Sequence, residues 1–219
     1  MKWKYIASIY AIYIIISVVV KIVGEANFPG NIYFLYLINH SQLPAFNPIM
    51  LFFSKYGREY IWIPVTAILF IMSGKFRRSS LLLVGGFIIA IILGEVSKYV
   101  MAQPRPFLIL HNVNLLVPEP TDYSYPSGHA LIVAVGAMIV LLTLPYYISI
   151  PLLIEAVLTS YSRVYIGVHW PLDVLTGWIL GIAIALTAIN LEKFISTIYN
   201  RLVNSIVGNG RKTNLKRQK

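Results

Sequence analysis

The sequence contains no cysteine and few charged residues, which limits the classes of protein it can belong to. The absence of cysteine excludes disulfides and thiolate chemistry. Only 12% of the 219 residues are charged and 58% are hydrophobic, whereas soluble domains are about one-quarter charged. This composition indicates an integral membrane protein. At about 20 apolar residues per helix, the chain has room for about six spans and no separate soluble domain.

Acidic residues are also scarce, and the formal net charge is +10. Most of the basic residues lie before the first apolar run, in a short break at 74–78, or after the last run. This distribution follows the positive-inside rule, which places these segments in the cytoplasm. It does not favour a nucleic-acid partner, because the basic residues cluster at the ends of apolar runs. The membrane is the predicted partner.

Apolar runs predict an all-α integral membrane fold with six transmembrane helices. They cover residues 5–23, 60–74, 79–101, 128–147, 151–167 and 170–191. Short apolar pieces at 31–38 and 46–53 predict re-entrant or interfacial helices in the outer loop after the first span. We predict a single six-span domain at 1–207 and a basic, disordered cytoplasmic tail at 208–219. Six spans place both termini in the cytoplasm.

Three polar clusters interrupt the apolar sequence between residues 98 and 173. They are Lys98 with Arg105-Pro106, then Pro126-Ser127-Gly128-His129, and finally Ser162-Arg163 with His169 and Asp173. The predicted topology puts all three clusters on the outer face of the membrane. Together they supply three cations, two imidazoles, one carboxylate and two hydroxyls, which suits the capture and cleavage of a phosphate ester.

The second cluster precedes a long apolar helix, so its backbone amides lie at a helix N-terminus. Unpaired amides and the positive end of the helix dipole favour an anion there. Gly128 leaves room for a phosphate oxygen to approach the backbone, and Ser127 adds a hydroxyl donor. Alternatively, Ser127 is a simple N-cap and His129 stands beside it by chance.

The third cluster places His169 and Asp173 four residues apart at the start of a helix, so they share a face. A carboxylate that accepts from one imidazole nitrogen leaves the other with a free lone pair. Arg163 has a planar fork that can hold two phosphate oxygens. Alternatively, Arg163 and Asp173 form an interfacial ion pair.

Lys98, Arg105 and Arg163 make the site net positive, which favours an anionic ligand in a semi-buried location. We assign His169 as the nucleophile that attacks phosphorus. His129 is assigned as the acid that protonates the leaving oxygen and then as the base that activates water. With three fixed cations, the reaction needs no metal and no cofactor.

Two acidic residues inside or beside the spans also need an explanation. Glu95 lies one turn before Lys98 and is predicted to be its structural partner. Glu155 lies inside the fifth apolar run, where a charge is costly. It is predicted to be protonated or paired with a polar residue of a neighbouring helix.

The three clusters resemble the signature of the type 2 phosphatidic acid phosphatases, the membrane branch of a superfamily that includes vanadium haloperoxidases. That signature reads Lys-x6-Arg-Pro, Pro-Ser-Gly-His and Ser-Arg-x5-His-x3-Asp, and every position matches here. The resemblance implies a metal-independent phosphatase for lipid phosphates or diphosphates, with the roles assigned above. The compact six-span chain, with its site on the extracytoplasmic face of the cell membrane, most resembles members that recycle polyprenyl diphosphate carriers.

Other functions fit the same motifs. The chain could be a phosphatidate or phosphatidylglycerol phosphate phosphatase, or a phosphotransferase that passes the phosphoryl group to another lipid. A non-catalytic carrier that only binds lipid phosphates is a more distant alternative.

Overall fold

The computed structural model describes residues 3–216, with side chains as far as residue 205, and this part of the chain is helical with no strand. Its ten helices, in order, are α1 (Trp3–Val23), α2 (Asn31–Asn39), α3 (Asn47–Tyr56), α4 (Glu59–Ile71), α5 (Lys75–Met101), α6 (Pro106–Ile109), α7 (Gly128–Thr143), α8 (Tyr146–Tyr165), α9 (Pro171–Asn190) and α10 (Glu192–Lys216).

Three segments are long and apolar enough to cross a bilayer: Trp3–Val23, Lys75–Ile109 and Pro171–Asn190. Two shorter helices, α4 and α7, are also apolar. Large aliphatic side chains such as Ile22 and Ile71 are more than three-quarters exposed on the outside of the bundle, as expected of a surface that faces lipid. The all-helical, multi-pass membrane fold is thus confirmed, and the count of six spans stays a prediction.

The short helices α2 and α3 form where the sequence predicted them, but two boundaries differ. The basic residues at 75–78 form the first turn of α5 instead of a loop. The fifth predicted helix begins at Tyr146, so Pro151 lies inside α8 and not at its start. The reason lies at Pro145, whose carbonyl accepts the amides of Ile148 and Ser149 and closes the first turn.

The C-terminal part of the chain also differs from the sequence-based expectation. Helix α10 follows α9 directly after Leu191, and no element was predicted there. Its backbone is helical to Lys216, and the disordered tail from residue 208 stays a prediction. The last three residues of that predicted tail, 217–219, lie outside the described residues.

Close packing of α7 against α9 holds the N-terminal ends of these two helices together. A Cβ added at Gly177 would lie 3.1 Å from the carbonyl oxygen of Ser127, and one at Gly181 would lie 2.7 Å from the Cβ of Ala134. Small residues allow helix backbones to approach this closely. At the top of the contact, the Ser127 amide donates to the Asp173 carbonyl at 3.1 Å. The starts of α7 and α9 therefore lie side by side.

Glu155 is paired across the bundle, as one of the two sequence-based options predicted. Its Oε2 accepts the indole N–H of Trp62 from α4 at 2.9 Å, and its Oε1 accepts the Thr159 hydroxyl at 2.7 Å. The carboxyl group therefore ties α8 to α4.

Candidate active site

The three polar clusters meet at one end of the bundle around a pocket of about 230 Å³. Residues from α5, α7 and α8, from the turn before α4 and from the loops that follow α5, α6 and α8 line it. They are Arg58, Lys98, Arg105, Pro120, Asp122, Gly128, His129, Arg163 and His169. Six of the eight residues predicted for the site therefore line one cavity, while Asp173 and Ser127 lie behind its wall.

His169 lies in the loop between α8 and α9 and is 1% exposed. Its Nδ1 lies 3.0 Å from Asp173 Oδ2. With the proton on Nδ1, the imidazole donates to the carboxylate, and the lone pair of Nε2 is left free. Nε2 lies 3.4 Å from Nη1 of Arg105, on the pocket side. This is the orientation that a nitrogen nucleophile needs.

Three donors hold the Oδ2 atom of Asp173. Besides His169, the Ser124 hydroxyl donates at 2.5 Å and the Trp170 amide at 2.9 Å. The Trp170 bond caps the first turn of α9, in which Pro171 occupies the first helical position and has no amide proton to satisfy. One carboxylate therefore starts the helix and orients the imidazole.

The charge state of His169 follows from its burial. Burial, followed by the positive charges of Arg105 and Arg163, holds the pKa of His169 well below its usual range. The imidazole is therefore neutral near pH 7, which is the form that can attack an electrophile.

Arg105 and Lys98 are both held by Asp122, a residue that the sequence analysis did not select. Arg105 Nη2 donates to Asp122 Oδ1 at 2.7 Å, and Lys98 Nζ forms a short ion pair with Asp122 Oδ2. Burial raises the pKa of Asp122, but the bonds to Lys98 and Arg105 outweigh this and lower it overall. The predicted pairing of Lys98 with Glu95 is wrong, because the lysine reaches the loop carboxylate instead.

Arg105 has further bonds that fix its guanidinium in the wall of the pocket. Nε donates to the Asp122 carbonyl at 2.9 Å and Nη1 to the Val168 carbonyl at 2.6 Å. The side chain is 2% exposed. Because Val168 precedes His169, Arg105 also fixes the backbone that carries the imidazole.

Arg163 is a buried cation without a carboxylate partner among the residues described. Its Nη1 donates to the carbonyl and, in a short bond, to the hydroxyl of Ser54 from α3. Its Nε is buried and has no protein acceptor in the described part of the chain. A buried guanidinium with donors to spare favours an anion in the adjacent pocket.

Helix α7 begins at Gly128, and Gly128 and His129 line the pocket at the N-terminal end of the helix. Ser127 differs from its predicted role in one respect. Its side chain is fully buried and does not line the pocket, and its hydroxyl has no partner among the described residues. In this structure Ser127 acts through its backbone, by joining the start of α7 to Asp173.

Arg58, just before α4, is a fourth cation in the pocket wall that sequence reasoning missed. It is partly exposed and forms a short ion pair with its neighbour Glu59. Arg58 lies 40 residues before the first cluster, so motif spacing gave no reason to select it. Asp122 and Ser124 were missed too, although their position just before Pro126 was a usable signal.

The described side chains around the pocket do not form a metal site. No group of three or more His, Asp or Glu side chains that could hold a metal ion occurs in the described residues. The acidic residues that contact the site, Asp122 and Asp173, are each occupied by donors. The donor set of the pocket is instead cationic and suits the oxygens of a phosphate.

The fold and the site define a class, and comparison with known proteins gives the same class. The family model of the PAP2 superfamily matches residues 79–195, more than half of the chain. The chain therefore belongs to the PAP2 superfamily, and the family assignment made from the motifs is confirmed.

Among individual proteins, the chain is 52% identical over 193 residues to the undecaprenyl-diphosphatase of Sulfolobus acidocaldarius, covering 88% of this chain and 93% of that protein. It resembles the crystal structure of Aquifex aeolicus LpxE with 30% identity and a TM-score of 0.63, covering 75% of this chain and 97% of that one. It also shares the fold of the PAP2 type phosphatidylglycerolphosphate phosphatase from Bacillus subtilis, with 24% identity and a TM-score of 0.69 over 87% and 96% of the chains.

Proposed function

We propose that this protein is a membrane phosphatase that removes the terminal phosphate of a polyprenyl diphosphate through a phosphohistidine intermediate. The observation that carries the proposal is the neutral His169, aligned by Asp173, opening onto a pocket that also contains four cations and a second histidine. The undecaprenyl-diphosphatase of Sulfolobus acidocaldarius, 52% identical over most of this chain, supports the same reaction.

In the first step, Nε2 of His169 attacks the terminal phosphorus as the bond to the bridging oxygen breaks, and His129 donates a proton to that oxygen. The lipid monophosphate leaves. In the second step, His129 accepts a proton from water, the hydroxide attacks phosphorus, and the phosphorus–nitrogen bond breaks to release inorganic phosphate. In-line displacement requires the two histidines on opposite sides of phosphorus.

The cations stabilise the charge that develops on the phosphoryl oxygens. Arg105 and Arg163 offer planar forks, and Lys98 a point charge. The Gly128 amide at the start of α7 adds a backbone donor. In this proposal Ser127 joins the phosphate-binding set only after its buried hydroxyl turns toward the pocket. Protein cations supply all of this stabilisation, so the reaction is proposed to be independent of metal.

A groove between α4 and α5 is the feature of the structure that favours a lipid substrate. Arg58 lines both the catalytic pocket and a cavity of about 300 Å³ next to it. That cavity shares Trp62, Ile63, Phe87 and Ile91 with an apolar cavity of about 510 Å³ farther along the two helices. A charged site thus continues into an apolar channel on the bundle surface. This arrangement suits a phosphorylated head joined to a long hydrocarbon chain.

The membrane arrangement belongs to the same proposal. Basic residues at the start of α5 and in α10 lie at the end of the bundle opposite the catalytic pocket, as the Arg78–Glu192 pair between these helices illustrates. By the positive-inside rule that end is cytoplasmic. We propose six spans in this orientation, with both termini inside and an extracytoplasmic active site. The proposal includes one domain at 1–207 and a basic tail at 208–219.

The test is phosphate release by the purified protein in detergent with chelator present. The panel contains prenyl diphosphates, prenyl monophosphates and glycerolipid phosphates. We expect turnover with diphosphates to exceed the others, and His169→Ala to lower it by several orders of magnitude, as removal of a nucleophile does. The matched control is His111→Ala, which changes an exposed loop histidine. Turnover that stops in chelator, or an active His169→Ala variant, would refute the mechanism.

Rapid quenching with substrate labelled in the terminal phosphate examines the intermediate. The label is expected on the protein as an acid-labile phosphohistidine, and His129→Ala should prolong its lifetime because water activation is impaired. Product analysis separates hydrolysis from phosphotransfer: free phosphate without an acceptor lipid supports a hydrolase. Label transferred only when a second lipid is added would make the protein a phosphotransferase.

A further inference from the structure

Glu25, in the segment between α1 and α2, is a buried acid that the proposed reaction does not use. Its side chain is 2% exposed, and neither carboxyl oxygen accepts a hydrogen bond from any donor in the described residues. Burying an unpaired carboxylate is costly, and a buried acid in this position normally keeps its proton. That proton needs an acceptor nearby.

Asp173 also has a buried carboxyl oxygen that lacks a donor among the described residues. Its Oδ2 accepts three hydrogen bonds, but its Oδ1 is buried and accepts none from a donor group in the described part of the chain. The Glu25 and Asp173 carboxyl groups lie within hydrogen-bonding reach of each other. Two carboxyl oxygens can bond only when one of them carries a proton.

Asn31 fixes Glu25 against the start of α9. Its Nδ2 donates to the Glu25 carbonyl at 2.9 Å, and its Oδ1 accepts the Leu172 amide at 3.0 Å. Asn31 is itself 3% exposed. A single side chain thus bridges the loop that carries Glu25 to the residue before Asp173, so the approach of the two acids is built into the packing of the chain.

We propose that Glu25 is a positioning residue that remains protonated and donates its proton to Oδ1 of Asp173. This inference rests on the proposed function only in assigning Asp173 its role beside His169. The bond completes the set of donors around the aspartate, so that its single negative charge stays on Oδ2 toward the imidazole. It also lowers the basicity of Asp173, which then leaves the proton on Nδ1 of His169.

The electrostatics around Glu25 agree with this geometry. Burial, followed by the negative charge of Asp173, raises the pKa of Glu25 well above its usual range, while Arg105 opposes the shift. Tyr13 of α1 and Tyr125 also lie near enough to Asp173 to interact with its charge. Stability from the neutral Glu25 is present at low pH and is lost as the pH rises through its raised pKa, because two ionised carboxyl groups then repel each other.

The test compares Glu25→Gln, which keeps a neutral donor, with Glu25→Ala, which removes it. The control is Glu119→Gln at an exposed loop acid. Glu25→Ala is expected to lower kcat by about 10- to 100-fold, the range for a lost hydrogen bond to a charged group, with KM nearly unchanged. Glu25→Gln should keep kcat within about 10-fold of the unmodified protein. Unchanged kcat in Glu25→Ala would overturn the proposal.

Two further measurements do not depend on phosphatase activity. Infrared spectra near pH 7 should show the carbonyl band of buried, protonated carboxylic acids, with unchanged intensity in Glu119→Gln and lower intensity in Glu25→Gln. The thermal midpoint of the unmodified protein should fall at alkaline pH relative to Glu25→Gln. An unchanged band in Glu25→Gln, or identical pH dependence of the two midpoints, would overturn the proposal. An inactive protein that passes both tests would refute the proposed function alone.

Discussion

Ser124 offers a sharp test of how Asp173 is held, because no sequence motif includes it. Its hydroxyl donates to Asp173 Oδ2 at 2.5 Å in a fully buried setting. A hydrogen bond to a charged group contributes about 1.5–3 kcal/mol, which is about 10- to 100-fold in a rate. The Trp170 amide and His169 still hold the carboxylate in Ser124→Ala, so we expect the lower end, a decrease in kcat of about 10-fold.

The assay is steady-state phosphate release from a prenyl diphosphate, with kcat and KM measured separately. Ser41→Ala is the matched control, because the exposed Ser41 hydroxyl donates to the Ile38 carbonyl and to no other group in the described residues. Thermal midpoints show whether both variants are folded. If Ser124→Ala had the same kcat as Ser41→Ala, the hydroxyl would not support the catalytic carboxylate. A loss as large as that of His169→Ala would contradict a merely supporting role.

Two other predictions concern packing and substrate choice. Gly181→Ala should destabilise the protein by about 1–3 kcal/mol through overpacking, because the new Cβ would lie 2.7 Å from the Cβ of Ala134. The control is Gly85→Ala, whose new Cβ would meet only the flexible side chain of Ile195, so it should destabilise the protein less. Equal thermal midpoints of the two variants would contradict the packing argument. Arg58 lies between the catalytic pocket and the adjoining cavity, where the second phosphate of a diphosphate would lie. Arg58→Ala should therefore lower kcat/KM for a prenyl diphosphate about 10-fold or more relative to a monophosphate, since a hydrogen bond to a charged group contributes about 1.5–3 kcal/mol. With Arg78→Ala as control, equal losses for both substrates would show that Arg58 does not contact the second phosphate.

Much of the helical fold was predictable from hydropathy, because each lipid-facing or buried helix needs a long apolar run. The predicted helix boundaries were wrong where local backbone bonds, and not hydropathy, set the start of a helix. Pro145 and Pro151 were predicted to bracket a tight turn, with a helix starting at Pro151. Pro145 instead caps α8, and Pro151 lies inside it. Helix α10 was missed because it mixes polar and apolar residues and contains no continuous apolar run.

In the candidate site, too, some contacts were predictable from the sequence and others were not. His169 and Asp173 lie four residues apart, so the sequence predicted their contact. The contact is present, although His169 lies in the loop just before α9. Contacts between distant positions had no such rule. Asp122 meets Lys98 across 24 residues, and Ser124 meets Asp173 across 49. Such pairs depend on how loops fold over the bundle, which spacing within a motif does not encode.

The residues proposed to react with phosphate and the residues proposed to bind the lipid tail lie on different helices. The two proposed catalytic histidines lie at the N-terminal ends of the closely packed helices α7 and α9, His129 at the start of α7 and His169 just before α9. The apolar channel runs instead between α4 and α5. Side chains such as Ile63 and Ile91 can therefore change in size without disturbing the reacting groups. A single catalytic frame could in this way be fitted to isoprenoid tails of different length, by mutation of the channel alone.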